Sequence, residues 1–291
     1  MFLDAIIISF FVIIIGCVLQ KRIGFNQKTL SNVLIYVTAP ALVLFSLYST
    51  KFVFEEIFFL ILAVFLITFF SGAFAFLGFR FFNYKKTGML LPAMFMNSSY
   101  LGYPIALFAL GEIGLQKAII FDSVSAIIFA TIGIFLVQNN ALRKRERIVG
   151  IFKLPLIYAI FLGIFLNLFS ISIPEIGLET LSLIGSATIP LALLTLGGSL
   201  ATLKIGSLKI PLVAVFSRIV IGGLTGFLFV KLMNLSGVVA SIILIISIMP
   251  PAVNSYIFNE KFSDEGKEAA TAVVIGTLLC IIPLIIILSG L

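Results

Sequence analysis

The sequence contains no histidine and has little charge and little cysteine. Among its 291 residues, only 11% are charged and two are Cys. The absence of His excludes imidazole acid–base catalysis, a Ser-His-Asp triad and most zinc sites. A soluble domain typically carries about 25% charged residues. This chain therefore has too little charge to cover the surface of a soluble protein of its size.

The residues that are abundant are apolar. Hydrophobic residues make up 61% of the chain, and 31 residues are Phe. Because no soluble core of this size could bury so much apolar material, the composition indicates an integral membrane protein with several spans. Cys17 and Cys280 lie in apolar runs and are interpreted as small buried hydrophobes rather than as a disulfide or metal ligands.

The net charge of +7 does not indicate a nucleic-acid partner, because the basic residues are scattered over short loops. The first apolar run has no basic residue before it and is followed by Lys21 and Arg22. A secretory signal has the opposite polarity. We therefore expect this first run to be a retained membrane span.

The apolar runs predict an all-α polytopic membrane protein with ten transmembrane helices. About 20 apolar residues are needed to cross roughly 30 Å of hydrocarbon. The stretches that meet this length are approximately 2–19, 30–49, 56–79, 88–110, 115–137, 154–172, 182–201, 209–232, 237–258 and 267–289.

Loop charge predicts the orientation, because Lys and Arg accumulate in short cytoplasmic loops. Of the nineteen Lys and Arg residues, this topology places fifteen on one side and three on the other, with Arg218 inside the eighth span. We therefore expect a multi-pass protein of the cell membrane with both termini outside and the basic loop 138–153 in the cytoplasm. The loop is interpreted as a topogenic signal that contacts anionic lipid headgroups; the alternative is a regulatory or partner site.

The basic loop also divides the chain into two halves of five spans, residues 1–137 and 154–291. Thr38-Ala39-Pro40 in span two corresponds to Thr188-Ile189-Pro190 in span seven, and Pro interrupts both span four and span nine. Because five is odd, the halves must lie in the membrane with opposite topology. An inverted repeat of this kind is the architecture of many secondary transporters.

The interruptions in spans four and nine predict a binding site. Pro cannot donate a backbone hydrogen bond and Gly adds backbone freedom, so both helices are expected to unwind near the midplane. Freed N–H groups and half-helix amino ends then attract an anion. The alternative is a pair of simple kinks, which are common in membrane helices. The predicted substrate-binding residues are Asn97, Ser98, Gly102, Tyr103, Pro104, Pro250, Pro251 and Asn254.

The same segments resemble a known family. NSSYLGYPI in span four resembles the N-x-x-x-x-G-x-P motif of the auxin efflux carrier family, and MPPAVNSYIFNEKFSDEGKEAATAVVIGTLL resembles its ninth span and the start of its tenth. The resemblance covers essentially the whole chain. The short central loop is similar to that of the prokaryotic members often called malate or malonate permeases.

The resemblance implies a fold similar to that of the bile acid sodium symporters. Spans 1, 2, 6 and 7 would form a scaffold and the dimer side of a homodimer, and spans 3–5 and 8–10 a mobile transport domain. Spans four and nine would cross at their breaks. The residues implied at the crossing are Asn97, Gly102, Pro104, Pro250, Pro251 and Asn254.

Two ionisable residues lie inside predicted spans, where charge is costly and usually functional. Asp122, in span five, could carry a coupling proton or help to bind sodium; the alternative is a structural hydrogen bond to Ser123 or Ser125. Arg218 is expected to extend to the cytoplasmic headgroups or to form a structural ion pair. Its alternative is to face the cavity and attract an anionic substrate.

These features favour a secondary transporter that moves a small organic anion, with a carboxylate as the favoured class, by alternating access. No cofactor is expected beyond a coupling H⁺ or Na⁺. The chain contains no Walker motif that would indicate ATP drive. The alternatives are a passive channel, a membrane sensor and an intramembrane enzyme, for which the catalytic inventory is poor without His.

Overall fold

The computed structural model describes residues 2–137, 155–203 and 205–290. Within these ranges all regular elements are helices, as the composition predicts, and β-pairing is limited to one isolated bridge. The basic loop 138–153, which carries the predicted regulatory or lipid-contact role, lies outside the described residues.

The α-helices run in chain order with short connections. They are α1 (Phe2–Arg22), α2 (Gln27–Val33), α3 (Ala39–Ser49), α4 (Phe54–Phe81), α5 (Leu90–Met94), α6 (Tyr103–Ile128), α7 (Ile134–Leu136), α8 (Pro155–Leu168), α9 (Glu175–Ser186), α10 (Thr188–Thr202), α11 (Lys209–Phe216), α12 (Gly222–Leu232), α13 (Gly237–Ser247), α14 (Val253–Phe262), α15 (Gly266–Leu279) and α16 (Ile281–Ser289). π-Helical stretches join some of them, at Leu34–Thr38, Ser98–Gly102, Phe129–Gly133 and Ser217–Ile221.

Seven helical stretches in the described part of the chain are long and apolar enough to cross a membrane. They are Leu3–Arg22, Gln27–Ser49, Phe54–Phe81, Ser98–Gly133, Glu175–Thr202, Lys209–Leu232 and Gly266–Ser289. Two shorter apolar helices, Pro155–Leu168 and Gly237–Ser247, accompany them. The protein is therefore a multi-pass membrane protein, while the count of ten spans stays a prediction.

Backbone breaks explain why fewer long spans are present than predicted. Predicted span four begins as the five-residue helix α5 and is interrupted at 95–97. Predicted span nine is divided into α13 and α14, of 11 and 10 residues. Inside α6 the chain turns at Gly111, whose φ of 69° and ψ of −165° are accessible essentially only to glycine. The end of predicted span four and most of predicted span five therefore follow each other without an intervening loop, within the stretch Ser98–Gly133.

Glycine allows close packing between the first and seventh predicted spans. A Cβ atom at Gly197 would overlap the backbone of Ile13, and one at Gly16 would overlap the backbone of Leu194. The Cys17 thiol donates to the carbonyl of Gly197 at 2.9 Å, so this cysteine is a packed residue and not part of a disulfide. Helix α1 thus lies directly along α10, and α3 packs against α8 and α9.

Large apolar side chains cover the outer faces of several helices. Phe11 on α1, Phe69 on α4 and Phe161 on α8 are each more than 60% exposed. Such surfaces are unfavourable in water and suit contact with lipid chains. They agree with the membrane assignment made from composition.

Candidate functional site

The two predicted breaks lie against each other. The amide of Asn97 donates to the carbonyl of Pro250 at 2.8 Å, and the amide of Ala252 donates to the carbonyl of Phe95 at 3.0 Å. Met96 and Pro251 form the centre of this antiparallel bridge. Because buried backbone groups need partners, the pairing satisfies donors and acceptors that the unwinding releases.

Four helix ends surround this bridge. Helix α5 ends at Met94 and α13 ends at Ser247, while the π-helical stretch from Ser98 and helix α14 from Val253 begin just after the paired segments. A helix carries unpaired N–H groups and partial positive charge at its amino end, and unpaired carbonyls and partial negative charge at its carboxyl end. The crossing therefore presents two amino ends, suited to an anion, and two carboxyl ends, suited to a cation.

Asn97 is the residue on which the anion-binding interpretation depends most. It is 2% exposed, and its Oδ1 accepts from the Tyr100 amide at 3.3 Å, so it caps the half-helix that follows. Its Nδ2 is buried and has no hydrogen-bond partner within the described residues. A buried donor without a partner is costly, and a bound acceptor group would satisfy it.

Asp122 belongs to the same cluster. Its Oδ1 accepts from the Ser98 hydroxyl and its Oδ2 from the Tyr103 hydroxyl at 2.6 Å. Both partners are neutral, so they stabilise a carboxylate without cancelling its charge. The structure thus brings the predicted coupling residue together with two of the predicted substrate-binding residues.

The structural alternative for Asp122 named the wrong partners. Ser123 donates to the carbonyl of Ile119 at 2.7 Å, and Ser125 donates to the sulfur of Met96 at 3.4 Å. Both serines are therefore engaged elsewhere. Ser123 bonds to its own helix, because a serine hydroxyl in a helix readily reaches the carbonyl of the preceding turn, and Ser125 contacts the paired segment at Met96.

The remaining predicted residues lie at or beside the bridge. Pro250 and Pro251 form part of it, and Gly102 and Pro104 are buried where α6 begins. Asn254 is half-buried in the first turn of α14. Their role in binding substrate stays a prediction.

Helix α15 packs directly against the break in predicted span nine. A Cβ atom at Gly276 would overlap the Cδ atom of Pro251 and would lie 3.5 Å from the Cβ of Pro250. Only glycine allows this approach, so the two prolines pack directly on a helix backbone. This packing holds the extended segment in place.

Some buried hydroxyl groups lack hydrogen-bond partners within the described residues. The hydroxyl groups of Tyr100, Thr38 and Thr188 are buried and have no hydrogen-bond partner in the ranges that the structure describes. Thr38 and Thr188 are the corresponding positions of the predicted repeat. Thr188 begins α10, which packs against the π-helical stretch Ser98–Gly102.

The expectation for Arg218 was wrong. Its side chain is fully buried, so it does not extend to the headgroups, and it pairs with no carboxylate among the described residues. Its Nη1 and Nη2 donate instead to the carbonyls of Met94 at 3.0 Å and Ser247 at 2.7 Å. Helix carboxyl ends attract a cation, and two of them lie within its reach inside the fold.

Sequence reasoning missed a second polar cluster, on the predicted cytoplasmic side. Glu265 is 3% exposed and accepts from the amides of Gly88 at 2.8 Å and Met89 at 3.1 Å and from the Tyr84 hydroxyl at 2.7 Å. Burial raises the pKa of its carboxyl above the usual range, and these hydrogen bonds oppose the rise. Asn259 also donates to the carbonyl of Gly88 at 3.1 Å.

This cluster connects the loop that precedes α5 to the loop that precedes α15. The carboxylate of Glu265 lies at the amino end of α5, where negative charge is favourable. The signal in the sequence was the acidic pair Asp264 and Glu265 in a set of loops that carries mainly basic residues. Its partner could not be read from the chain, because 176 residues separate Glu265 from Met89.

Comparison with known proteins gives a consistent result over the whole chain. Residues 1–288 match the model of a family described as "Membrane transport protein". An uncharacterized transporter of Methanocaldococcus jannaschii is 28% identical in an alignment of 291 positions, which covers 94% of this chain and 94% of the relative. An uncharacterized transporter of Methanothermobacter thermautotrophicus is 29% identical over 176 residues, or 59% of this chain and 58% of the relative.

Proposed function

Because the chain belongs to the membrane transport protein family, which is that of the auxin efflux carriers, we propose that it is a secondary carrier for a small organic anion. A carboxylate is the favoured substrate class, and alternating access is the mechanism. The descriptions of the family and of both relatives indicate a transporter and not an enzyme. The observation that carries the proposal is the side-chain Nδ2 of Asn97, which is buried at the crossing without a hydrogen-bond partner among the described residues.

The chemistry of the crossing supports an anionic substrate. Two half-helix amino ends and the Nδ2 of Asn97 are hydrogen-bond donors, and half-helix amino ends bind anionic substrates in other carriers. The hydroxyls of Thr188 and Tyr100 are buried without partners in the described residues, and the helix that Thr188 begins packs against Ser98–Gly102, so we expect these hydroxyls to offer donors to a second oxygen atom. A carboxylate uses both of its oxygens as acceptors, so it matches this set.

Asp122 supports coupling to a cation. It accepts hydrogen bonds from Ser98 and Tyr103, both within the predicted substrate site. A proton or a sodium ion on Asp122 would neutralise a negative charge beside the anion, so binding of the two would be mutually favourable. Loss of the cation would then weaken the hold on the substrate.

We also propose the ten-span inverted repeat. Joining α5 to the stretch 98–110, and α13 to α14, restores spans four and nine, and the turn at Gly111 separates span four from span five. Spans 1, 2, 6 and 7 would form the scaffold, and their exposed apolar face would support a homodimer. Tyr158 and Phe161 on α8 are examples of that face, each more than half exposed.

The passive channel and the sensor are the alternatives. The packing at the crossing favours the carrier over the channel, since Asn97 and Ser98 are 2% and 1% exposed and the two breaks are paired directly. A continuous pore at this point would leave such side chains open to solvent. A carrier needs a closed site that opens to one side at a time.

A thermal-shift screen tests the proposed function. We expect the purified protein to be stabilised by malate, malonate or an indole acid, and less by the corresponding neutral amides. A ligand at 100 times its dissociation constant contributes about 2.7 kcal/mol, which corresponds to roughly 5 to 10 °C in melting temperature. Repeating the screen with and without sodium, at two pH values, identifies the coupling cation. Equal shifts from acids and amides would contradict an anion carrier.

Cysteine labelling tests the proposed orientation. In a background with Cys17 and Cys280 replaced by alanine, Ser172→Cys and Asn234→Cys should react with an impermeant maleimide added to intact cells, because both positions are exposed and lie in predicted outer loops. Lys85→Cys and Asn140→Cys should react only after the membrane is permeabilised. Labelling of Lys85→Cys in intact cells would reverse the orientation.

A further inference from the structure

One buried charged side chain is not used by the proposed transport mechanism. Arg218 is fully buried in the π-helical stretch Ser217–Ile221. Its Nη1 donates to the carbonyl of Met94 at 3.0 Å and its Nη2 to the carbonyl of Ser247 at 2.7 Å. Because Met94 ends α5 and Ser247 ends α13, one guanidinium binds the carboxyl ends of both half-helices that lead into the breaks.

The carboxyl end of a helix favours positive charge. Its last carbonyls have no donor within the helix, and the aligned peptide dipoles place about half an elementary negative charge there. In carriers with discontinuous helices, such ends coordinate a coupling cation. Two ends converge on one point here, so the attraction for a cation adds from both.

The space around Arg218 is closely filled at Nη1 and Nη2, whereas its Nε is buried and has no hydrogen-bond partner within the described residues. A Cβ atom at Gly222, one turn further along, would overlap Nη2. The Ser71 hydroxyl lies 3.5 Å from Nη1. In the part of the chain that the structure describes, helix ends rather than an acidic side chain compensate the charge. The cost of burying the charge is therefore offset only while both helix ends stay in place.

We propose that Arg218 is a built-in cation that clamps the carboxyl ends of α5 and α13 where a bound cation could otherwise act. The clamp fixes the alignment of the two breaks and hence of the amino ends that follow them. Its effect on substrate rests on the proposed function. The clamp itself is measured by stability alone, so its failure and the failure of the carrier proposal are distinguishable.

Cation rescue of a truncated variant tests the clamp. Arg218→Ala leaves two carbonyls without a donor and an empty space of guanidinium size, so we expect it to melt roughly 5 to 15 °C below the unmodified protein. Guanidinium chloride at millimolar concentration, far below its denaturing range, should restore most of this loss. Urea, a neutral molecule of similar shape, should not.

The matched control is Arg80→Ala, which removes an exposed arginine placed over the ring of Phe76 and should not respond to guanidinium. Equal rescue by urea, or no rescue by guanidinium, would overturn the clamp. If Arg218→Ala does not fold, Arg218→Lys and Arg218→Met are compared. A more stable lysine variant supports the clamp. A methionine variant that is at least as stable as the lysine variant overturns the clamp, because apolar packing then replaces the charge without loss of stability.

Discussion

Asn97→Ala is expected to weaken substrate binding by roughly 5- to 150-fold. The loss of one amide donor to a carboxylate oxygen costs about 1–3 kcal/mol, and each 1.4 kcal/mol is about tenfold in affinity. Asn97 is the residue of choice because its Nδ2 is buried without a partner in the described chain. Asn254→Ala is expected to act in the same direction. The measurement is a binding isotherm on monodisperse protein.

The cap and the proposed ligand contact of Asn97 can be separated. Asn97→Ser keeps an oxygen that accepts from the Tyr100 amide but loses the Nδ2 donor. Asn97→Asp keeps the cap and adds a negative charge. If the donor binds substrate, the serine variant keeps its melting temperature and loses affinity, and the aspartate variant loses more. If both Asn97→Ser and Asn254→Ala bind normally, the site assignment is wrong.

Asp122→Asn is expected to abolish uphill transport while substrate binding persists. Ser98 and Tyr103 donate to different oxygens of Asp122. Asparagine keeps one acceptor oxygen for one of these hydroxyls and can donate from its Nδ2 to the other hydroxyl oxygen, but it cannot carry a coupling proton or a carboxylate-bound sodium ion. In proteoliposomes, accumulation against a gradient should fall to background, whereas exchange of labelled for unlabelled substrate should continue. This difference distinguishes loss of coupling from loss of fold.

Two variants control the coupling experiment. Glu56→Gln removes a carboxylate that pairs with Lys117, away from the crossing, and should leave uphill transport intact. Tyr103→Phe removes one hydrogen bond to Asp122 but keeps the carboxylate, so it should slow transport without uncoupling it. Unchanged substrate accumulation by the Asp122→Asn variant would show that Asp122 has a structural role and does not couple transport to a cation.

The location of the two breaks could be predicted from the sequence because it follows from local chemistry. Pro250 and Pro251 lack a backbone donor wherever they occur, and the Asn97–Pro104 segment concentrates residues that favour turns and caps. The assignment to the membrane class is equally direct, since the chain has more apolar residues than a soluble core of this size could bury. The contact between the breaks was predicted from the inverted repeat and implied by the family resemblance. Its hydrogen bonds join residues more than 150 positions apart.

Expectations that depended on long-range contacts were less successful. The serines nearest to Asp122 in the chain were expected as its partners. A helix directs the adjacent Ser123 to a different face, Ser125 donates to Met96 instead, and Ser98 and Tyr103 reach Asp122 from 24 and 19 residues earlier in the chain. Arg218 was expected to reach the headgroups because the sequence indicates only how deep the residue lies in its predicted span and not which groups surround it. The helix ends that bind it belong to α5 and α13, and their position is not encoded next to Arg218.

The sequence by itself determined that the chain is a helical membrane protein, that the predicted spans four and nine are interrupted, and that Asn97, Asp122 and Arg218 are polar groups which need partners inside the fold. Only the tertiary structure decided which partners they have. The membrane class follows from the summed composition, and the helix breaks follow from the local effect of proline, so both can be predicted from the sequence. The pairing of Asn97 with Pro250, of Asp122 with Tyr103, and of Arg218 with Met94 and Ser247 depends on which helix ends the packed fold brings within 3 Å.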